Sequence, residues 1–131
     1  METRVIVSAI LKNKDKYLIA KRVNSKKYAP GRWEFISGFV DSNESAEKIM
    51  LRELKEELNV NGKMIRTANP YVIIDKEARW IIIPFIINMR DTKFKLNKKD
   101  HSEIKWVSEG ELAQVRDIKK EVKELKIRGM A

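Results

Sequence analysis

Short apolar stretches separated by polar residues recur in the first third of the chain and again in its middle, a pattern typical of β-strands. Residues 5–11 and 17–20 are apolar and rich in β-branched side chains, and the polar stretch between them predicts a hairpin. A longer strand is predicted at residues 79–89, where Pro84 indicates an edge position or a bulge. Further short strands are predicted at residues 33–36, 64–66, 71–74 and 103–107.

The period changes to that of a helix over residues 45–58. Its apolar positions recur every three or four residues and are Met50, Leu51, Leu54 and Leu58. Ser45 is a favourable N-cap, and Glu47 suits the first turn because a negative charge there complements the helix dipole. Asn59 predicts the end of the helix, since asparagine is second only to glycine in the left-handed conformation that often follows a last turn.

The last part of the chain predicts further helices. A capping-box pattern at residues 108–111 opens a short one, and residues 117–127 have the apolar stripe of an amphipathic helix. A turn is predicted at residues 61–62. Strands, a helix, more strands and final helices are typical of a mixed α/β domain with helices packed on a sheet. We place this single domain at residues 1–131, a length that fits one domain.

Composition narrows the class of protein. The chain has no cysteine, which excludes disulfides, a thiol nucleophile and cysteine-based metal sites. The longest apolar run, residues 80–87, is far below the roughly 20 residues that span a bilayer. We therefore expect a cytoplasmic protein with no membrane partner. The net charge of +9 favours phosphate-bearing partners or nucleic acid, although lysine interleaved with glutamate on solvated helix faces gives the same charge.

The helix at residues 45–58 carries the informative chemistry. At about 100° per residue, Glu53, Glu56 and Glu57 project within an arc of about 100° that adjoins the apolar stripe. Such close carboxylates repel one another unless a cation lies among them, and Arg52 can pair with Glu56 but cannot serve all three. An oxygen-only cluster suits Mg²⁺ or Mn²⁺. The alternative from the helix alone is an ordinary glutamate- and lysine-rich surface with salt bridges.

The spacing around this helix resembles the Nudix box. That box has glycine, five residues, glutamate, seven residues and then Arg-Glu-aliphatic-x-Glu-Glu-x-Gly-aliphatic; here Gly38, Glu44 and residues 52–60 match it. Only Asn59 departs, standing where the box has glycine. Residues 32–35 and 103–107 resemble the flanks of MutT-like members, whereas residues 36–37 are Ile-Ser where such members carry Pro-Gly.

The resemblance implies a fold and residue roles. The fold would be an α/β/α sandwich around a mixed sheet. Glu56 and Glu57 would ligate a divalent metal, and Glu53 would be a further ligand or orient the water. The Gly38 carbonyl would be a backbone ligand. Arg52, which we count with the three glutamates in the catalytic group, and Glu44 would hold the loop and helix by ion pairing.

Other site residues are less defined by the sequence. A later acidic residue would act as a further metal ligand or as a general base, and Glu103 is preferred over Asp100 and Glu77 for that place. The alternative for each of the three is an ordinary surface charge. His101 is interpreted as a solvated loop residue. Lys21 and Arg22 are candidate contacts for phosphate oxygens of the substrate. Trp33 and Phe35 are candidate contacts for the rest of the substrate. Six aromatic residues are candidates to stack on a base, and most of the six are expected in the core. The candidates are Tyr28, Trp33, Phe35, Tyr71, Trp80 and Trp106.

The activity implied is Mg²⁺-dependent hydrolysis of a diphosphate bond, with a nucleoside triphosphate, normal or oxidised, as the leading substrate and Mn²⁺ as a substitute metal. ADP-ribose and dinucleoside polyphosphates remain open. One alternative is a non-catalytic nucleotide sensor, which would bind without turnover. Another is an RNA-end enzyme or RNA-binding protein, which would show strong, salt-sensitive affinity for RNA.

Overall fold

The computed structural model describes residues 1–60, 66–89 and 94–125. The turn predicted at residues 61–62, the first two residues of the strand predicted at 64–66 and the end of the last predicted helix lie outside these ranges. The described strands are β1 Thr3–Asn13, β2 Lys16–Arg22, β3 Trp33–Glu34, β4 Ile36–Phe39, β5 Arg66–Thr67, β6 Tyr71–Ile74, β7 Arg79–Asn88 and β8 His101–Ser108. The described helices are α1 Ala46–Leu58, α2 Glu109–Leu112 and α3 Lys119–Leu125, with a 3-10 turn at Arg116–Ile118.

The strands form one mixed sheet. At its centre β1 runs parallel to β7 along nearly its full length, and it forms the predicted hairpin with β2. The remaining pairs are antiparallel: β4 on β1, β3 and β8 on β2, and β5 and β6 on β7. Because β1 pairs with both β4 and β7, the Gly38 strand lies beside the middle of the sheet.

Helices cover both faces of the sheet. On one face α1 packs its apolar stripe against alternate residues of β1 and β2, such as Leu11 and Leu18. On the other face Leu112, Ile118 and Leu125 of the C-terminal segments pack against the opposite side of the same strands. This alternation follows from the two-residue period of a strand. The predicted α/β/α arrangement around a mixed sheet is thereby confirmed.

Helix α1 forms where the sequence predicts it. The Ser45 hydroxyl accepts a hydrogen bond from the Lys48 amide, and Asn59 ends the helix with φ 53° and ψ 42°. The Asn59 amide donates to the Lys55 carbonyl at 3.0 Å. Asparagine therefore takes over the helix-ending conformation for which glycine is preferred.

Two predictions near strand and helix ends are wrong in detail. Strand β7 is not at an edge, because it pairs on both sides, and its pairing with β1 shows no bulge at Pro84. Pro84 instead falls between the β6 and β5 pairings, which end at Ile82 and begin at Phe85, so its missing N–H interrupts neither antiparallel ladder. The last amphipathic segment divides into the 3-10 turn and α3. Within the described part of the chain, no helix is long and apolar enough to cross a membrane.

Candidate active site

A cavity of about 480 Å³ opens between the C-terminal half of α1, the end of the sheet and the loop that precedes β3. We call the part of its wall with the α1 glutamates and Asp100, which precedes β8, the acidic end, and the part with the ring cluster of Tyr28, Phe39 and Trp80 the aromatic end. This volume lies in the range of small-molecule sites in proteins. A polar end beside an aromatic end suits a ligand with a charged part and a flat part.

The three glutamates predicted from the helical wheel all line this cavity. Glu57 is 5% exposed, Glu53 is half-buried and Glu56 is exposed. The gradation follows from the wheel, because Glu57 lies next to the apolar stripe that faces the sheet. Gly38 of β4 lies against Glu53, and a Cβ built on it would be 2.5 Å from Glu53 Cγ. The helix and the sheet therefore meet at this glycine.

Burial and mutual repulsion make it unfavourable for all three glutamates to be ionised at once. Burial, followed by the neighbouring charges of Glu56 and Glu57, raises the pKa of Glu53 from 4.5 to about 7. Arg52 opposes this rise but does not cancel it. A cation placed among the carboxylates would favour their ionised forms.

Arg52 connects the helix to the loop before it. Its Nη1 pairs with Glu44 Oε1, and its Nε lies 3.9 Å from Glu56 Oε1 one turn along the helix. The hydrogen bond with Arg52 lowers the pKa of the Glu44 carboxyl. The pair thus ties residues 42–44 to the acidic part of α1.

Asp100 is the later acidic residue that the fold brings to the glutamates. It lines the cavity and pairs with Lys26. A hydrogen bond with Glu57, assisted by the Lys26 ammonium, lowers the pKa of Asp100. Burial first, and then the contact with Asp100, raise the pKa of Glu57. Glu103, preferred from the sequence for this place, is exposed on β8 opposite Lys21 and outside the cavity lining, whereas Glu77 lines the cavity.

His101 is not the solvated loop residue that the sequence indicates. It is the first residue of β8, is 3% exposed, and lies between two carboxylates. Its Nδ1 is 3.1 Å from Glu57 Oε2 and its Nε2 is 2.7 Å from Glu34 Oε2. Burial by itself lowers the pKa of His101, but these hydrogen bonds outweigh burial and raise it to about 9. Local sequence carries no signal for this, because the partners are 44 and 67 residues away.

Of the two residues predicted to contact phosphate, Arg22 lines the cavity and Lys21 does not. Arg22 lines the cavity, but its Nη1 donates to Glu34 at 3.0 Å and its Nε donates to the Tyr28 carbonyl at 2.9 Å. Lys21 is not among the residues that line the cavity. Arg32 lines it, with its Nε 3.6 Å from Asp117, which also accepts from the Trp33 amide.

Several aromatic side chains line the cavity, and two of them, Phe35 and Tyr71, are also buried in the core as the sequence predicts. Those that line it are Tyr28, Trp33, Phe35, Phe39, Tyr71 and Trp80. Tyr28 meets Trp80 edge to face at 5.1 Å between ring centroids, and Phe39 lies 5.9 Å from Tyr28. Phe39 also carries the Arg4 guanidinium 4.5 Å above its ring. Trp106, by contrast, packs on Phe94 away from the cavity.

The residues present suit a divalent metal in donor type. Carboxylates of Glu53, Glu56, Glu57 and Asp100 line one end of the cavity, and all offer hard oxygen donors. Among the described residues, no three acidic or histidine side chains already converge as a cage for an ion. The convergence of these four carboxylates on one cavity is the observation that favours a cation here.

Comparison with known proteins places this site in a family. The NUDIX domain model matches residues 2–126. The nucleoside triphosphatase NudI of Escherichia coli is 36% identical over 58 residues, which are 44% of this chain and 41% of that relative. The chain thus matches less than half the length of this relative.

Solved structures share the fold. The MutT protein from Methanosarcina mazei Go1 superposes with a TM-score of 0.80 at 23% identity, over 88% of this chain and 84% of that one. The NUDIX domain of Shewanella oneidensis NrtR, complexed with ADP ribose, gives a TM-score of 0.80 at 20% identity, over 100% and 90%. At these identities the likeness shows the fold alone, while the family model spans almost the whole chain. The chain therefore belongs to the Nudix hydrolase family.

Proposed function

We propose that the chain hydrolyses a diphosphate bond in a nucleoside triphosphate or a related nucleoside diphosphate derivative, with Mg²⁺ as its cofactor. The observation that carries the proposal is the acidic cluster itself. Glu53, Glu56 and Glu57 reach the same cavity wall as Asp100, beside a backbone at Gly38 that has no side chain to obstruct them. Oxygen ligands of this type favour Mg²⁺, with Mn²⁺ as a substitute.

Glu56, Glu57, the Gly38 carbonyl and Asp100 would hold the cation, and Glu53 would orient the attacking water. When bound, Mg²⁺ would supply positive charge next to the phosphate oxygens and assist attack by water. Asp100 replaces Glu103 as the later acidic residue in this proposal, because Asp100 contacts Glu57 and Glu103 does not line the cavity.

We assign to Glu53 the role of accepting a proton from the attacking water. In the reaction the water oxygen bonds to phosphorus, the bridging P–O bond breaks, and its electron pair leaves with the departing phosphate. The proton of the water would pass to Glu53, whose side chain packs against Gly38. Arg32 on the cavity wall would stabilise negative charge on the phosphate chain.

The aromatic end of the cavity supports a nucleotide-like substrate. Tyr28, Phe39 and Trp80 line the cavity, and aromatic side chains of this kind would pack against a base. With a nucleoside triphosphate, the products would be a nucleoside monophosphate and pyrophosphate. The relative described as a nucleoside triphosphatase supports this substrate class, and the NrtR domain complexed with ADP ribose keeps ADP-ribose among the substrates to test.

The test is a panel of substrates assayed for phosphate and pyrophosphate release. The panel holds the eight common ribo- and deoxyribonucleoside triphosphates, 8-oxo-dGTP, ADP-ribose and a dinucleoside tetraphosphate. Each is measured with Mg²⁺ and with EDTA, for the wild type and for Glu56→Gln. Glu47→Gln is the matched control, because Glu47 is an exposed glutamate in the first turn of the same helix and does not line the cavity.

Metal-dependent turnover that is lost in Glu56→Gln and kept in Glu47→Gln is the expected result. Tight nucleotide binding without turnover in the wild type would instead favour a non-catalytic sensor. No turnover, with salt-sensitive affinity for RNA far above that for mononucleotides, would favour an RNA-binding role that uses the net charge of +9.

A further inference from the structure

His101 is held between two carboxylates on opposite sides of its ring. Nδ1 lies 3.1 Å from Glu57 Oε2, and Nε2 lies 2.7 Å from Glu34 Oε2. The same Glu34 oxygen accepts from Arg22 Nη1 at 3.0 Å. Because both ring nitrogens are engaged, rotation of the ring would break two hydrogen bonds within a buried environment. The orientation of the ring is therefore fixed.

Backbone contacts fix the His101 segment to the end of α1 as well. The Asn97 amide donates to the Glu57 carbonyl at 2.8 Å, and the His101 amide donates to the Asn97 carbonyl at 3.3 Å. On the other side, the Val23 amide donates to the Asp100 carbonyl at 3.0 Å. The main chain thus sets the separation of His101 and Glu57 independently of their side chains.

Glu57 needs such a partner because the residue is 5% exposed and its carboxylate has acidic neighbours. Asp100 contacts it directly, and Glu53 lies one turn away on the same helix. A carboxylate in this setting is repelled from both sides unless a donor holds it. Holding one oxygen also sets the direction in which the second oxygen points.

We propose that His101 is a positioning residue, which holds Glu57 Oε2 so that the Glu57 carboxylate faces the cation-binding end of the cavity. Glu34 acts as the support for the ring, and Arg22 acts as the support for Glu34. The inference rests on the proposed function, since the orientation of Glu57 matters only if that carboxylate holds a metal. It assigns to His101 no contact with substrate and no role in proton transfer.

Two amide variants separate positioning from space filling. The amide nitrogen of asparagine reaches the place of the histidine Nδ1, whereas that of glutamine reaches the place of Nε2. His101→Asn therefore keeps a donor toward Glu57, and His101→Gln keeps a donor toward Glu34 only. Val107→Ala is the control for lost packing, because Val107 is buried on the same strand and does not line the cavity.

The primary measurement is Mn²⁺ and Mg²⁺ affinity by calorimetric titration without substrate, together with the melting temperature of each variant. His101→Gln is expected to weaken Mn²⁺ affinity by about tenfold, the lower end of what loss of a ligand's hydrogen-bond partner causes. His101→Asn is expected to keep most of the affinity, and Val107→Ala all of it. With saturating Mg²⁺, His101→Gln should lower kcat with little change in KM.

Equal metal affinity in His101→Asn and His101→Gln would overturn the proposal, as would a loss of affinity in Val107→Ala that matches its loss of melting temperature. In either case wild-type hydrolysis with Mg²⁺ would leave the proposed function standing. A wild type that neither binds Mn²⁺ nor cleaves any member of the substrate panel would overturn both.

Discussion

Gly38 and Glu53 are in contact across the junction of β4 and α1. A Cβ at position 38 would lie 2.5 Å from Glu53 Cγ, 2.8 Å from its Cδ and 2.9 Å from its Oε1. Atoms cannot approach this closely, so any side chain at residue 38 would displace the Glu53 carboxylate. Gly38 is therefore required because it leaves room for the Glu53 side chain of α1, and not because its backbone has a positive φ.

Gly38→Ala is expected to lower kcat by about 100-fold, the scale of loss that a displacement of about 1 Å causes at a reacting group. The matched control is Gly110→Ala, because a Cβ on Gly110 in α2 would meet no atom within 4 Å. Hydrolysis by the control should equal that of the wild type. Wild-type kcat in Gly38→Ala would show that Glu53 has room to move without losing its role.

The pKa of Glu53 predicts how the metal-free protein responds to pH. Burial and the Glu56 and Glu57 charges raise that pKa from 4.5 to about 7, so the folded state binds the proton more tightly than the unfolded state does. Stability from this group is fully present below pH 4.5 and is lost as the pH rises through about 7. In EDTA, Glu53→Gln should therefore stabilise the protein at neutral pH and above.

Urea unfolding of both proteins between pH 4 and pH 8 in EDTA measures this difference. Because Glu53 is half-buried and solvent screens its charge, we expect the gain in Glu53→Gln to grow to about 1–2 kcal/mol above pH 7 and to vanish near pH 4. A gain that is the same at every pH would indicate a packing effect instead of a charge effect.

Local signals in the sequence predicted the helical half of the site. The caps at Ser45 and Asn59 and the apolar period place α1 within a residue of its bounds, since these interactions join residues at most a few positions apart. The burial of Glu57 beside the apolar stripe follows from the same periodicity. The resemblance to the box added Gly38 to this set.

The second half of the site depends on contacts between distant segments, which no local pattern contains. Asp100 and His101 reach α1 because residues 95–101 pair with the backbone at its end, and β8 then pairs with β2 through a register shift at Lys21 and Arg22. Asp100 lies just before β8 and lines the cavity, whereas Glu103 lies on β8 opposite Lys21 and does not line it. Position along the chain could not decide this, and the sequence-based preference for Glu103 lacks support from the geometry.

Asp100→Asn and Glu103→Gln test which later acid acts in hydrolysis. Asp100 contacts Glu57 at the cavity wall, so removing its charge is expected to lower kcat by at least about tenfold and to weaken Mg²⁺ activation. Glu103 is exposed outside the cavity lining, and Glu103→Gln should behave as the wild type. Steady-state kinetics over a range of Mg²⁺ concentrations measures both. The reverse result would restore Glu103 as the later acidic residue of the site.

Substitutions of Asn59 test whether the departure from the Nudix box at this position affects stability only. The Asn59 φ of 53° is a conformation that costs glycine and asparagine less than it costs alanine. Asn59→Ala is expected to lower the free energy of unfolding by about 1 kcal/mol, and Asn59→Gly should change it little. Urea unfolding gives both values. Hydrolysis should be unchanged in both variants, and a loss of kcat in Asn59→Gly would instead tie this residue to the site.

Trp80 tests the assignment of the aromatic end to the base. It meets Tyr28 edge to face in the cavity wall, and its Nε1 donates to Asp75 at 3.0 Å, so the ring is held in place before substrate arrives. Stacking on a base contributes about 1–3 kcal/mol, so Trp80→Leu should raise KM for a nucleoside triphosphate by about tenfold while kcat changes little. Trp106→Leu, which removes a tryptophan outside the cavity lining, is the control.

Inhibition by imidodiphosphate, which has a diphosphate-like group but no base, separates the two ends of the cavity. Its inhibition constant should be the same in Trp80→Leu and in the wild type, because the acidic end is unchanged. If Trp80→Leu weakens the binding of imidodiphosphate and of the nucleotide equally, the substitution has disturbed the acidic end through Tyr28, whose carbonyl accepts from Arg22. The base would then bind elsewhere, and Trp33 and Phe35 would become the ring surfaces to test next.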